Sequence, residues 1–406
     1  MRSVIIIIII TLFILVIDLF SLRGINYLLE TLGKGNRLPT LIFWGISLIM
    51  FISLVWTGSQ FQIIRDPSRF IRIMVVMGIF LMLYVPKILF NVTQLLGEIT
   101  VGITRLFQLK VNAGLIREYF LITGALGGAL LFLGLGMGMI RGRTNVKIFE
   151  QEVVIPGLPG SFKGKKIVQL SDFHMAGFYN NPEYIDEVVN RVNRLRPDLI
   201  FFTGDMVHNF SEELDPFTGI LGRLNAPLGK FAILGNHDYG QYFGWKSEVE
   251  KDANLERLKE KIRASGFDLL LNEHRTISLD GHSLDIVGVE NWGKPPFPRM
   301  GDLAKAIEGA SPDRVKILLS HDPSHWDLQV KGKEKIELTL SGHTHGMQFG
   351  FEIGKFRWSP SRWTYKQWAG LYNENGQYLY VNRGLGFTGY PGRVGIRPEI
   401  TLITLK

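Results

Sequence analysis

The chain has 406 residues, no cysteine and a net charge of +8 from 45 Lys+Arg against 37 Asp+Glu. That length accommodates two or three domains, and the absence of cysteine excludes disulfides, thiolate metal sites and cysteine-nucleophile chemistry. The basic excess is confined to residues 1–150, with 14 Lys+Arg against 6 Asp+Glu; the remainder carries 31 of each, which argues against nucleic acid as a partner.

In chain order, the first 150 residues hold four long apolar stretches: VIIIIIITLFILVIDLF (4–20), LPTLIFWGISLIMFISLVW (38–56), a run from Ile71 to Val85 that continues diluted to Phe90, and YFLITGALGGALLFLGLGMGMI (119–140). Each approaches or reaches the ~20 residues needed to cross a bilayer. The first has one Arg ahead of it and no small-residue cleavage site after it, the pattern of a signal anchor. Apolar residues recur at helical spacing through Asn91–Glu118, which reads either as an amphipathic surface helix or as a helical connector. Arg141, Arg143 and Lys147 form a basic stop after the last span. The organisation expected is a membrane domain with four transmembrane helices (1–145), a linker (146–164) holding Pro156, Gly157, Pro159 and Gly160, and a soluble domain (165–406).

Four spans place the N-terminus and the soluble domain on one side. Basic residues tie between the sides at seven each: Arg2, Arg65, Arg69, Arg72, Arg141, Arg143 and Lys147 against Arg23, Lys34, Arg37, Lys87, Arg105, Lys110 and Arg117. The tight cluster after the last span and the compact 57–72 loop tilt the reading to a cytoplasmic soluble domain.

From Lys165 the pattern alternates strand and helix. Strands are expected at 165–171 and 199–203, with a helix at 183–195 between them that Pro197 stops; a further helix is expected at 248–265, and shorter strands at 275–279 and 283–289. QYLYVNRG and EITLITL read as antiparallel closing strands. Five runs, KKIVQLS, DLIFFTG, KFAILG, VKILLS and IELTLSG, read as strands buried on both faces. Each ends in polar residues: Asp172-Phe-His174, Gly204-Asp205, Gly235-Asn236-His237-Asp238, His321-Asp322 and Gly342-His343-Thr344-His345. Open α/β sheets place their sites at such strand ends. A lone histidine there is usually a satisfied polar residue and a lone Gly-Asp a turn; it is the repetition that makes these a site. The Asp, Asn and His side chains of these strings, seven or more nitrogen and oxygen donors, exceed what one cation takes and suit two sharing a carboxylate. A second Asp after Asp172, a P-loop and a Gly-x-Ser-x-Gly elbow are all absent from the sequence, which removes three other hydrolytic or phosphoryl-transfer chemistries.

The ordered set D-x-H, G-D, G-N-H-D, H and G-H-x-H resembles the calcineurin-like metallophosphoesterase superfamily, over about residues 160–406. The resemblance implies a β-sandwich flanked by helices and a dinuclear centre of Mn, Fe or Zn that hydrolyses phosphate esters. It assigns Asp172, His174 and His345 to the first metal, Asn236, His321 and His343 to the second, Asp205 as the bridge, and His237 as the catalytic histidine facing the leaving group. Asp238 is expected to orient His237 or a neighbour. His208, His274 and His282 are expected to be structural or surface residues, and His325 to lie away from the site or at its rim.

The stretch 349–370 carries three Trp and four basic residues in 22 positions, directly after two expected ligands. It reads either as a membrane-interface segment, through Trp358, Trp363 and Trp368, or as an aromatic mini-core. The membrane-anchored branch of the superfamily, which this layout resembles, includes hydrolases of UDP-2,3-diacylglucosamine in lipid A synthesis. The expected partners are therefore the bilayer and a phosphate ester, possible substrates including lipid-linked pyrophosphates. The alternative function is a membrane receptor or scaffold with an idle hydrolase domain.

Overall fold

A computed structural model describes residues 2–33, 37–60, 65–354 and 356–406; Lys34 and Lys355 fall outside them. The chain divides into two compact units, Met1–Ile63 with Arg72–Met139, and Ile64–Ile71 with Ile140–Lys406.

The first unit is built from α1 (Arg2–Thr31), α2 (Arg37–Gln60), α3 (Pro67–Leu106), whose residues up to Ile71 belong to the second unit, and α4 (Ala113–Met137). All four are long and apolar enough to cross a membrane, and the protein is a multi-pass membrane protein. The 40 residues of α3 extend about 60 Å at 1.5 Å per residue, twice the hydrocarbon thickness. Asn91–Leu106 continues the helix of the third span without a break and is not a separate helix. Pro86 lies inside α3, a position membrane helices tolerate when neighbours satisfy the freed carbonyl. Asn112 caps α4 by accepting from the Gly114 and Leu115 N–H groups. Arg117 at the start of α4 holds Glu98 of α3 through two hydrogen bonds of 2.9 and 3.1 Å. Lys87, counted above among the flanking basic residues, instead sits within α3 and pairs with buried Asp18 of α1 at 2.7 Å; Tyr84 donates to the same carboxylate at 3.0 Å. It contributes to neither side of the sidedness count.

The second unit is a β-sandwich. Its strands and helices in order are β1 (Lys147–Val153), β2 (Lys166–Leu170), α5 (Pro182–Arg194), β3 (Leu199–Thr203), α6 (Thr218–Gly222), β4 (Lys230–Ile233), α7 (Glu248–Ala264), β5 (Asp268–Leu269), β6 (Glu273–Leu279), β7 (His282–Gly288), α8 (Leu303–Ile307), β8 (Lys316–Leu319), β9 (Leu338–Ser341), β10 (Phe351–Ile353), β11 (Phe356–Trp358), β12 (Gly370–Glu374), β13 (Gln377–Val381) and β14 (Glu399–Leu405). One sheet has the order β1-β14-β2-β3-β4-β5, the other β12-β13-β9-β8-β7-β6, and β10-β11 form a separate hairpin. An apolar core between the sheets draws Ile167, Phe201 and Ile233 from the first sheet and Ile286, Ile317 and Leu340 from the second, the interdigitation expected of facing sheets. The strands that deliver the site residues are predominantly apolar because both faces are covered: every residue of β3, β8 and β9 is buried. Helix α5 buries Ile185, Val188, Val189 and Val192, the i, i+3, i+4, i+7 stripe of a surface helix. Trp326 and Val330, with Leu303 and Ala306 of α8, form a second core with Leu318 and Leu379.

Residues 146–164, expected as a linker, contain β1. It runs parallel to β14, from Lys147 opposite Glu399 to Val153 opposite Leu405. Strand β14 is antiparallel to β2, as expected of a closing strand. Strand β13 is antiparallel to β12 but parallel to β9.

Candidate metal centre

Five of the seven expected ligands leave their strands in left-handed backbone: Asp172 (φ 52°), His174 (50°), Asp205 (59°), His343 (72°) and His345 (48°). Few non-glycine residues adopt this conformation, and concentrations of it mark functional sites. The neighbouring glycines make room for the turns. A Cβ at Gly235 would collide with the Asp205 carboxylate, and one at Gly342 with Ser171 and Asp172.

The turns bring all the expected donors together. Asp172, His174 and His345 form one buried group; Asp205, His321 and His343 form another; Asp205 also groups with His174 and His237. Asn236 joins the second, its Oδ1 lying 2.8 Å from His343 Nδ1. Asp205 is thus common to both sides, its Oδ2 3.5 Å from His174 Nε2 and 3.2 Å from His321 Nε2. His174 and His345 face each other nitrogen to nitrogen at 3.0 Å, with Asp172 Oδ1 3.3 Å from His345 Nε2.

The histidines are oriented from behind. The Thr203 carbonyl, 2.7 Å from His321 Nδ1, can only accept, so Nδ1 carries the proton and Nε2 turns to the carboxylates. The His208 carbonyl does the same for His237 Nδ1 at 3.0 Å, leaving Nε2 as its free nitrogen.

Charge follows burial. Burial drives the His174 and His345 imidazoles well below the usual histidine range, helped by His208 at His174 and by Arg393 at His345. Burial likewise takes His343 down to about 4. These rings are neutral, the form that binds a cation. His321 goes the other way. Burial opposes its charge, but the Asp205 and Asp172 carboxylates raise it to about 10, the direction expected where carboxylates converge on a place that favours positive charge. Burial would also raise Asp205, yet His321 and His237 hold it well below the carboxylate range. Burial and the Asp205 charge lift Asp172 to about 7. Converging imidazole and carboxylate donors around one shared carboxylate fit a dinuclear divalent-metal centre.

Asp238 does not orient His237 directly. It is fully buried, and its carboxylate accepts from the backbone N–H groups of Gly235 (2.8 Å), Asp205 (2.9 Å), Met206 (2.8 Å) and Val207 (3.1 Å). It therefore locks the loop carrying Asp205 to the loop carrying Asn236. Glu213, which nothing in the sequence singled out, performs the same service for the next segment, accepting from Ala176, His208, Asn209 and Phe210 N–H at 2.7–3.1 Å.

His208, expected to be structural or on the surface, is buried beside the centre. Its ring lies 4.6 Å from that of His174, and Phe70 of the same unit packs on it at 4.9 Å. Tyr365 and Tyr242 were also missed: the Tyr365 hydroxyl lies 2.7 Å from His343 Nε2, and that of Tyr242 accepts from Asn236 Nδ2 at 2.8 Å. Their signal was the aromatic run itself for Tyr365 and proximity to Asn236 for Tyr242. His325 is structural, buried between Ser320 Oγ (2.8 Å) and Gln329 Oε1 (3.0 Å). His274 Nδ1 meets the Ala306 carbonyl, and His282 meets Ser161 at the surface.

The profile of the calcineurin-like phosphoesterase family matches residues 165–347, and that of a probable calcineurin-like phosphoesterase transmembrane domain matches residues 1–143. The uncharacterized metallophosphoesterase YkuE of Bacillus subtilis (strain 168) is 35% identical over 293 residues, covering 70% of this chain and 94% of that protein. A transmembrane protein with metallophosphoesterase domain from Danio rerio is 27% identical over 416 residues, covering 97% and 89%. The UDP-2,3-diacylglucosamine pyrophosphatase LpxG of Chlamydia trachomatis serovar D is 29% identical over 274 residues, covering 55% and 78%.

Proposed function

This chain belongs to the calcineurin-like phosphoesterase family, and we propose that it hydrolyses a lipid-linked phosphate ester or pyrophosphate, of the UDP-2,3-diacylglucosamine kind. That it is a membrane-anchored, metal-dependent phosphoesterase follows from its two matched regions and its four spans. The observation that carries the finer reading is the joining of this centre to a chain with its own membrane anchor. The similarity to LpxG supports it.

In this reading Asp172, His174 and His345 hold one cation, Asn236, His321 and His343 the other, and Asp205 both. When bound, the two cations supply Lewis acidity toward water and the phosphoryl oxygens. The protein's own groups do the rest. The loops locked by Asp238 and Glu213 keep the donors in place without rearrangement, so their charge is already arranged when negative charge develops on the phosphoryl oxygens. His237, pinned through Nδ1, presents Nε2 to the leaving oxygen. Burial pushes its imidazole down and Asp205 opposes; an incoming anionic phosphate favours the protonated ring, which then donates to the departing oxygen.

The test is turnover of UDP-2,3-diacylglucosamine and of its deacylated analogue by the full chain in nanodiscs with Mn²⁺. A kcat/KM at least about tenfold higher for the acylated substrate, the worth of ~1.4 kcal/mol of lipid recognition, supports the reading. Equal values refute the lipid-linked assignment while leaving the phosphoesterase intact.

A further inference from the structure

The hairpin β10–β11 has its amphipathic character inverted. Its register pairs Phe351 with Trp358, Glu352 with Arg357 and Ile353 with Phe356. Directly opposed residues share a face and neighbours alternate, so Phe351, Ile353, Phe356 and Trp358 make one apolar face while Glu352 and Arg357 lie on the other. In a hairpin serving only to close a soluble fold, the apolar face turns to the core. Here the polar face does. Glu352 accepts from buried Arg383 at 2.9 Å, and the Arg357 guanidinium lies over the rings of Tyr372 (5.2 Å) and Trp368 (5.8 Å). The apolar face is left outward: Ile353 is 73% exposed and Phe356 62%.

Trp363 extends this face. It is 76% exposed and meets Trp358 edge-on at 5.8 Å. Trp368 does not take part; it is 4% exposed and packs in a small core with Ala369 and Ile396. The aromatic stretch thus divides: Trp368 belongs to a mini-core, while the hairpin and Trp363 present an outward apolar patch.

We propose that this outward face docks in the headgroup–acyl boundary of the bilayer. Two observations select a membrane over another protein, and a third leaves the apolar face free to meet it. The same chain carries four membrane spans, so a lipid surface is always within tether reach and its effective concentration is high. Exposed Arg362 and Lys366 flank Trp363, and tryptophan with basic residues is the composition that binds interfaces with anionic headgroups. The polar face is already occupied within the unit, leaving only the apolar one to meet a partner. The patch lies close in sequence to the centre: Tyr365, two residues beyond Trp363, touches His343. The docking is independent of whether the substrate is lipid-linked.

The cysteine-free sequence makes the test direct. Single substitutions Ile353→Cys, Trp363→Cys and Ser278→Cys are introduced into the full chain, labelled with an environment-sensitive nitrobenzoxadiazole group and reconstituted in phosphatidylcholine/phosphatidylglycerol vesicles. Ser278 is an exposed residue of β6, the strand at the other edge of the sheet that carries β12. Docking predicts blue-shifted emission at 353 and 363 and about twofold or greater quenching by shallow nitroxide lipids relative to 278, as for groups buried ~5–10 Å into the interface. Equal access of aqueous iodide to all three labels overturns the proposal. So does blue-shifted emission that neither iodide nor nitroxide lipid quenches, the signature of a second copy covering the face. The double variant Ile353→Ser/Phe356→Ser guards against label artefacts. With the label at 363, it should lose most of the lipid quenching while keeping the thermal midpoint of the parent; unchanged lipid quenching counts against the hairpin.

Discussion

Replacing Asp238 with alanine should do most of its damage through the fold of the centre. The substitution removes the acceptor for four backbone N–H groups, all from the turns that carry Asp205 and Asn236. A buried N–H left without an acceptor costs about 1–3 kcal/mol. Taken as independent, four would cost most of the ~5–15 kcal/mol that stabilises a typical domain. Two effects reduce this. The loops relax together, since groups sharing one partner are not additive. Removing the carboxylate also relieves its burial and its repulsion from Asp205, which lift Asp238 to about 7 against the pull of the backbone donors. A net loss of about 3–5 kcal/mol is expected, or about 6–20 °C in the unfolding midpoint of a unit this size. Asp238→Asn keeps the shape and one acceptor oxygen but turns an N–H₂ toward two backbone donors, so its loss should be intermediate. Thermal unfolding of metal-loaded protein, with metal content measured on the same samples, checks this. An Asp238→Ala variant within about 2 °C of the parent and holding both metals would refute the bracing role, since that shift is less than ~1 kcal/mol.

Three further outcomes follow from the same geometry. His321, raised to about 10 without metal, contributes stability that is fully present below its unfolded value near 6.5 and lost as pH rises through about 10. The metal-free unfolding midpoint should therefore fall from pH 7 to 10, while metal affinity should rise roughly tenfold per pH unit over pH 7–9 as the entering cation expels that proton; calorimetry in buffers of different ionisation heat counts the proton, and pH-independent affinity without proton release would contradict the assignment. His237→Ala should retain both metals while turnover drops about 10²–10⁴-fold on an alkyl ester, with a much smaller loss on a nitrophenyl ester; equal losses would mean that His237 positions phosphate and does not protonate the leaving group. Asp205→Ala should lower occupancy of both sites, whereas His174→Ala should chiefly affect one, so a full equivalent of metal retained with high activity in Asp205→Ala would show that this carboxylate is not the bridge.

The sequence made the centre legible because each donor sits at the end of a strand whose burial leaves a near-continuous apolar run. Strands β3, β8 and β9 and helices α5 and α7 accordingly lie within a few residues of where the pattern puts them. What supports the donors was not legible. Asp238 and Glu213 act on backbone N–H groups, which carry no residue identity, and His208 acts largely through its carbonyl. Strand β1 pairs with β14 across some 250 positions, and Pro156–Gly160 after it looked like a linker from composition alone. Trp363 and Trp368 are indistinguishable by type and five positions apart; only the register of the hairpin and the packing of Ile396 separate an outward tryptophan from a buried one. In α3 the thinning of apolar residues after Phe90 suggested an end to the span, but nothing there breaks a helix, so it runs on to Leu106.

The central claim is that turnover requires two cations held around Asp205. Chelator-stripped full-length protein should be titrated with Mn²⁺ or Zn²⁺ while bound metal and hydrolysis of a soluble nitrophenyl ester are followed together. Two equivalents per chain should bind, with activity absent before the first and reaching its plateau with the second. Hydrolysis that persists undiminished in the stripped protein, or that saturates with no more than one equivalent bound, would contradict the account.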